Sequence, residues 1–166
     1  GWHLDWVTMQ IILPVGISFY TFQALSYSLD VYQKKLPATH DALEFFAYIS
    51  FFPQRVAGPI ERATNLLPQL QGQRHFDYAK AVDGCRQMLW GFAKKLLIAD
   101  NCATVVNGYW DQYAELPGLS LFLLGVLFTF QIYCDFSGYS DIAIGCSRLF
   151  GFNLMRNFNF PYFSRS

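Results

Sequence analysis

Two carboxylates, a glutamine, two tyrosines and two serines crowd into residues 131–141, Gln-Ile-Tyr-Cys-Asp-Phe-Ser-Gly-Tyr-Ser-Asp. This stretch overlaps the end of a 16-residue uncharged run, residues 119–134. Polar groups at membrane depth are costly, and where they persist they usually serve function. A carboxylate pair can work as general acid and base. Asp135 and Asp141 are six residues apart, which is about 600° on an ideal helix, so an unbroken helix points them apart. Gly138 lies between them and permits a break. A broken helix at membrane depth is tolerated only where it is buried in protein or lines a wet cavity. The expectation is a cavity wall for a polar substrate, with Gln131, Tyr133, Asp135, Ser137, Tyr139 and Asp141 as lining candidates, joined by Gln54 from an earlier segment. The rival reading is structural: each group hydrogen-bonds a neighbouring helix and fixes the bundle. That reading serves for any one residue, and the cavity wall serves better for the cluster.

No histidine accompanies the acids. His3, His40 and His75 fall in short polar or terminal segments, so none reads as a buried base. Cys85, Cys102, Cys134 and Cys146 include no CxxC pair, and no histidine stands near them at metal-ligand spacing. They read as small buried apolar residues, and no metal site is expected. Twelve basic residues balance twelve acidic ones without a basic patch, so nucleic acid is not an expected partner.

The elements that must position the polar stretch are largely apolar. Only 14% of residues are charged and 53% are hydrophobic, against roughly 25% charged in soluble domains. An all-α, polytopic membrane protein with tilted, kinked and re-entrant helices is the expected fold class, with the lipid bilayer as its first partner. Residues 8–29 form a 22-residue uncharged run, about 33 Å as a helix and long enough to span. Pro14 and Gly16 should kink it. Residues 45–54 are apolar but too few for a span. Lys34 and Lys35 precede them, and Arg55, Arg62 and Arg74 follow. If both flanks are cytoplasmic, the segment dips in and returns. Residues 60–83 read as a polar surface loop, with room for an interfacial helix. Residues 85–110 look helical but carry Lys94, Lys95 and Asp100. The lysines are expected to snorkel to headgroups, and five residues from Lys95 to Asp100 is poor spacing for a pair on one α-helix. Residues 107–118 hold two acids and no Lys or Arg, which suits the non-cytoplasmic side. Ile142 to Leu154 resumes an apolar pattern, and Asn153, Asn157, Asn159 and Pro161 lead out of it.

Four ordered strings carry a resemblance: Leu13-Pro14-Val15-Gly16-Ile17-Ser18-Phe19-Tyr20-Thr21-Phe22-Gln23; Phe51-Phe52-Pro53-Gln54 with Ala57-Gly58-Pro59-Ile60; Gly91-Phe92-Ala93-Lys94-Lys95; and residues 131–141 followed by Ala143-Ile144-Gly145. Together they resemble the membrane-bound O-acyltransferase (MBOAT) family over essentially the whole chain. The resemblance implies a ring of tilted and re-entrant helices around a tunnel in a bacterial inner membrane. It implies transfer of an acyl group, expected to be acetyl, from a cytoplasmic donor (acetyl-CoA or an acyl carrier) to a hydroxyl of an exported polysaccharide such as alginate. Periplasmic acetyltransferase subunits would be partners. The family's essential histidines lie in a Trp-His pair beyond an Asn-Phe-x-x-Pro-Tyr stretch and in a later Trp-His-Gly. Asn157-Phe158-Asn159-Phe160-Pro161-Tyr162 is present and neither histidine motif is. No catalytic residue is therefore assigned, and residues 1–166 are expected to be one partial domain, truncated at both ends and inactive alone. A transporter or channel segment, with broken helices and midplane polar groups, and a non-catalytic scaffold subunit are the alternatives.

Overall fold

The computed structural model describes residues 17–54 and 61–158. The expected kink at Pro14 and Gly16 lies outside them. The uncharged run enters as α1, Ile17–Tyr32. Its end is a reversal in which Lys34 takes a left-handed φ of 57°. The Lys35 amide bonds the Asp30 carbonyl at 2.9 Å and the Lys34 amide bonds Val31 at 3.0 Å, which satisfies the last carbonyls of the helix. Asp30, in the last turn of the helix, is buried.

Two short helices follow. α2, Ala42–Ile49, starts where the Asp41 carboxylate accepts the Leu43 amide, an N-cap that relieves an orphan donor. A 3-10 turn, Phe52–Gln54, ends the apolar segment. α3, Ala63–Gln71, occupies part of what the sequence suggested was loop. Its Ala63, Leu66 and Leu67 are buried against Tyr48, Phe152 and Leu154. The polarity of residues 60–83 concealed this helix because only one side of it meets the core.

The rest of the described chain is one long hairpin of helices. Asp77 caps α4, Tyr78–Phe92, by accepting from the Ala79 and Lys80 amides. The chain continues without a break through a π-helical segment, Ala93–Ala99, into α5, Asp100–Trp110. After a turn containing a 3-10 element, Tyr113–Glu115, α6 returns as Gly118–Leu149. Its 32 residues make it about 48 Å long. Among the described residues it is the one helix long and apolar enough to cross a membrane, and only 11% of its most apolar stretch is buried. A soluble core helix of that composition would hide most of it.

α6 corrects the expected break. It runs unbroken through Gly138 to Leu149. Gly138 serves a close approach instead: a Cβ there would fall 2.8 Å from the Gly91 carbonyl oxygen, and a Cβ on Gly91 would fall 2.5 Å from that of Gly138. Gly84 and Gly145 repeat the arrangement one heptad away. Small residues let membrane helices approach closely, and these two glycine pairs hold α4 and α6 antiparallel. The helix stops at Gly151, whose φ is 80°. The Phe152 amide bonds the Ser147 carbonyl and the Gly151 amide bonds Arg148, the double bond of a Schellman terminus. The helix therefore ends before Asn153, and Phe152 turns into the core.

Candidate functional site

The site is built from the facing sides of α4, the π segment and α6. Gln87 sits one turn from Gly91 on α4, and Lys94 opens the π segment. Both reach Asp141 on α6. Lys94 Nζ lies 2.7 Å from Asp141 Oδ2, and Gln87 Nε2 donates to Oδ1 at 2.9 Å. Both carboxylate oxygens are thereby engaged, in a pair whose side chains are only 17% and 14% exposed. Lys95 points to the other acid. Its Nζ lies 2.6 Å from Asp135 and 3.0 Å from Asp100. The π segment explains the second contact, because the Asp100 amide bonds the Lys95 carbonyl, five residues back. In a π turn residues five apart stack, so the spacing that is poor on an α-helix is right here. A third interhelical bridge joins Arg148 to Asp83 nearer the open end.

The expectation that Lys94 and Lys95 snorkel to headgroups is therefore corrected. Each lysine pairs with an acid of α6. A charge placed inside one apolar helix needs an opposite charge on its neighbour, and Asp135 and Asp141 were the acids available. The two acids do point apart, as six residues on a helix require, and each meets a different one of two adjacent lysines.

Beside the Lys94–Asp141 pair lies a cavity of about 1180 Å³ between α4 and α6. Tyr133, Ser137 and Asp141 line it, with Gln87, Lys94 and Ser140. The Ser137 and Ser140 hydroxyls and Gln87 Oε1 are buried without a hydrogen-bond partner. Three of the expected lining residues are placed elsewhere. Asp135 is exposed and holds Lys95. Tyr139 turns to the 3-10 element, its hydroxyl 3.4 Å from the Pro53 carbonyl oxygen. Gln131 has a buried, unpartnered Oε1 away from the cavity wall. The side chain of Gln54 lies outside the described residues. Gln87, Lys94 and Ser140 were not singled out as lining by the sequence. The glycine pairs were also missed, although Gly84 and Gly91, like Gly138 and Gly145, stand seven residues apart, a spacing that keeps them on one helix face.

The histidines do not join the site. His40 and His75 are exposed in irregular segments, and His3 lies outside the described residues. Among the described residues no three His, Cys, Asp or Glu are placed to hold a metal ion. Cys134 is buried and Cys85 is exposed, so the expectation of four buried cysteines fails at Cys85.

The sequence that builds this site has relatives among known proteins. The sequence profile of the membrane-bound O-acyltransferase family matches residues 34–165. The chain belongs to this family. Members are integral membrane proteins, which accounts for the apolar exterior of α6. The Pseudomonas aeruginosa protein named "Probable alginate O-acetylase" is 42% identical over 160 residues, 96% of this chain and 30% of that protein. The "Peptidoglycan O-acetyltransferase" of Helicobacter pylori is 32% identical over 187 aligned positions, covering 97% of this chain and 36% of its own length. The "Teichoic acid D-alanyltransferase" of Bacillus subtilis is 26% identical over 160 residues, 94% of this chain and 40% of that protein. The chain thus spans 30–40% of the length of these MBOAT relatives.

Proposed function

We propose that the protein carrying this chain moves an acyl group, acetyl in the first instance, across a bacterial inner membrane onto a hydroxyl of an exported polysaccharide, and that the α4–α6 hairpin forms one wall of its tunnel. The reading rests chiefly on one observation: a mostly buried Lys94–Asp141 pair beside a cavity that two buried, unpartnered serine hydroxyls also line. Such groups are retained between membrane helices only at a cost, and a passage for a polar substrate gives them a use. The names of the relatives support transfer to cell-surface polymers, with alginate the acceptor named for the more similar of those described. Acetyl-CoA or an acyl carrier is the donor, and periplasmic acetyltransferase subunits are partners. The short α2 is a re-entrant element and the whole protein is polytopic. Residues of this chain bind and orient substrate. The base that removes the acceptor proton comes from the family's histidines, which these residues do not include.

The test is the ester content of the exported polysaccharide in cells whose copy of the full-length protein carries Ser137→Leu. Leucine there removes a wall hydroxyl and pushes an apolar side chain toward the cavity, so O-acylation falls about tenfold or more while the protein level in the membrane holds, a barrier increase of about 1.4 kcal/mol or more. Unchanged ester content would remove the cavity from the path. The 166-residue chain alone transfers no acetyl group in liposomes, and detectable transfer would overturn the assignment of the chemistry to residues elsewhere.

A further inference from the structure

At the open end of the hairpin, sharing Arg148 with the α4–α6 cavity, lies a second pocket of about 730 Å³ lined by Arg74, His75, Phe76, Lys80, Arg148 and Phe150, among others. Its depth in the membrane follows from α6. A helix of about 48 Å, inclined by an ordinary 20° or so, covers about 45 Å, the bilayer with both headgroup layers. Arg148 and Phe150, at the C-terminal end of α6, then stand among headgroups. The opposite end is the turn with Asp111 and Glu115 and no Lys or Arg. Basic residues mark the cytoplasmic side, and the cytoplasmic leaflet is the one rich in anionic lipid.

Two of the pocket's cations, Arg74 and Lys80, form no salt bridge with a described residue. The Arg74 guanidinium lies 4.5 Å over the Phe152 ring, which fixes its place and leaves its N–H edges free to donate. Asp77, the one acid in the wall, is engaged as the N-cap of α4. Arg148 is neutralised by Asp83. Phe76 and Tyr78 beside the pocket are 77% and 76% exposed, large rings where aromatic side chains favour the interface.

We propose that this pocket seats the phosphate of an anionic phospholipid of the cytoplasmic leaflet, with Arg74 and Lys80 as its donors and Phe76 and Tyr78 resting in the interface. The lipid would tie the loop before α4 to the end of α6. The site depends on the chain lying in a membrane, not on the acyl-transfer reading, so either can fail alone.

The full-length protein in detergent, given phosphatidylglycerol or phosphatidylcholine and weighed by native mass spectrometry, tests it. Two cations set against the single acid Asp77 leave the wall net positive, which gives a preference for phosphatidylglycerol of about fivefold or more. Lys80→Gln, a change at an exposed side chain, cuts that preference about fivefold, Arg74→Lys keeps most of it, and about 0.5 M salt abolishes it. Equal retention of the two lipids, or an unchanged preference in Lys80→Gln, would overturn the proposal. So would displacement of phosphatidylglycerol by millimolar inorganic phosphate, which would mark a site for soluble anions. If Arg74→Lys does not fold, Lys80→Gln and the salt series decide.

Discussion

The two regions of the described chain engage their polar side chains in different ways. In the cluster of short helices, the polar side chains of α3 grip backbone. Gln69 donates to the Asn153 carbonyl at 3.0 Å and accepts the Asn153 amide at 2.8 Å. Glu61 accepts the Met155 amide at 2.8 Å and also the Asn65 side chain. An apolar core of Tyr48, Leu66, Leu67 and Phe152 lies alongside. In the hairpin, helix backbone is self-satisfied, so polar side chains must find each other. They do so as Lys94–Asp141, Lys95–Asp135 and Arg148–Asp83, while glycines bring the backbones close. The difference teaches where each region is fragile. The cluster depends on hydrogen bonds to one extended strap. The hairpin depends on the absence of side chains at four glycines and on charge pairing.

Gly91→Leu breaks the hairpin most severely. Even a Cβ at Gly91 would stand 2.5 Å from a backbone oxygen and 2.7 Å from Ile142. Overpacking by an ordinary methylene costs about 1–3 kcal/mol, and a leucine wedged between backbones exceeds that, so little folded full-length protein should survive detergent extraction and size-exclusion chromatography. Lys94→Met comes next. It leaves Asp141 mostly buried without its cation, a loss of up to about 3 kcal/mol, read as a lower thermal midpoint of the purified protein. The cluster should respond more mildly. Glu61→Gln keeps one acceptor of two, a loss of about 1 kcal/mol, seen as faster amide exchange at Met155.

The same carboxylate sharpens the contrast through pH. Burial pushes the Glu61 pKa up, and the Met155 and Asn65 bonds only partly oppose it. A folded-state pKa above the unfolded one contributes stability at low pH that is lost as pH rises through the folded value. Thermal stability of the purified protein should therefore weaken as pH rises above the ordinary glutamate range, and Glu61→Gln should flatten that dependence. The smallest effect is a gain. Lys34→Gly removes the cost of a left-handed lysine after α1, about 1 kcal/mol, and should raise the thermal midpoint slightly.

Much of the fold was legible in the sequence where it is written locally. The uncharged run of residues 119–134 marked α6, the short apolar segment at 45–54 marked α2 and its turn, and the acids, serines and tyrosines of 131–141 marked the polar side of α6. The rest depended on partners far along the chain. Lys94 meets Asp141 across 47 positions, and a local reading sends it to the headgroups. Gly138 alone suggests flexibility, and only its facing Gly91 turns it into a contact. The π segment carries no Pro or Gly to announce it, and it is what sets Lys95 over Asp100. The burial of α3 escaped because half of its surface is polar and its partners, Phe152 and Leu154, lie some eighty residues on.

The central claim is that the charges inside the hairpin are interhelical pairs. A double-mutant cycle across Lys94 and Asp141 in the full-length protein tests it, read as thermal stability of Lys94→Met, Asp141→Asn and the double variant. The pairing predicts that the double variant is no less stable than Lys94→Met, with an interaction energy of about 1–3 kcal/mol. Losses that simply add would contradict the account.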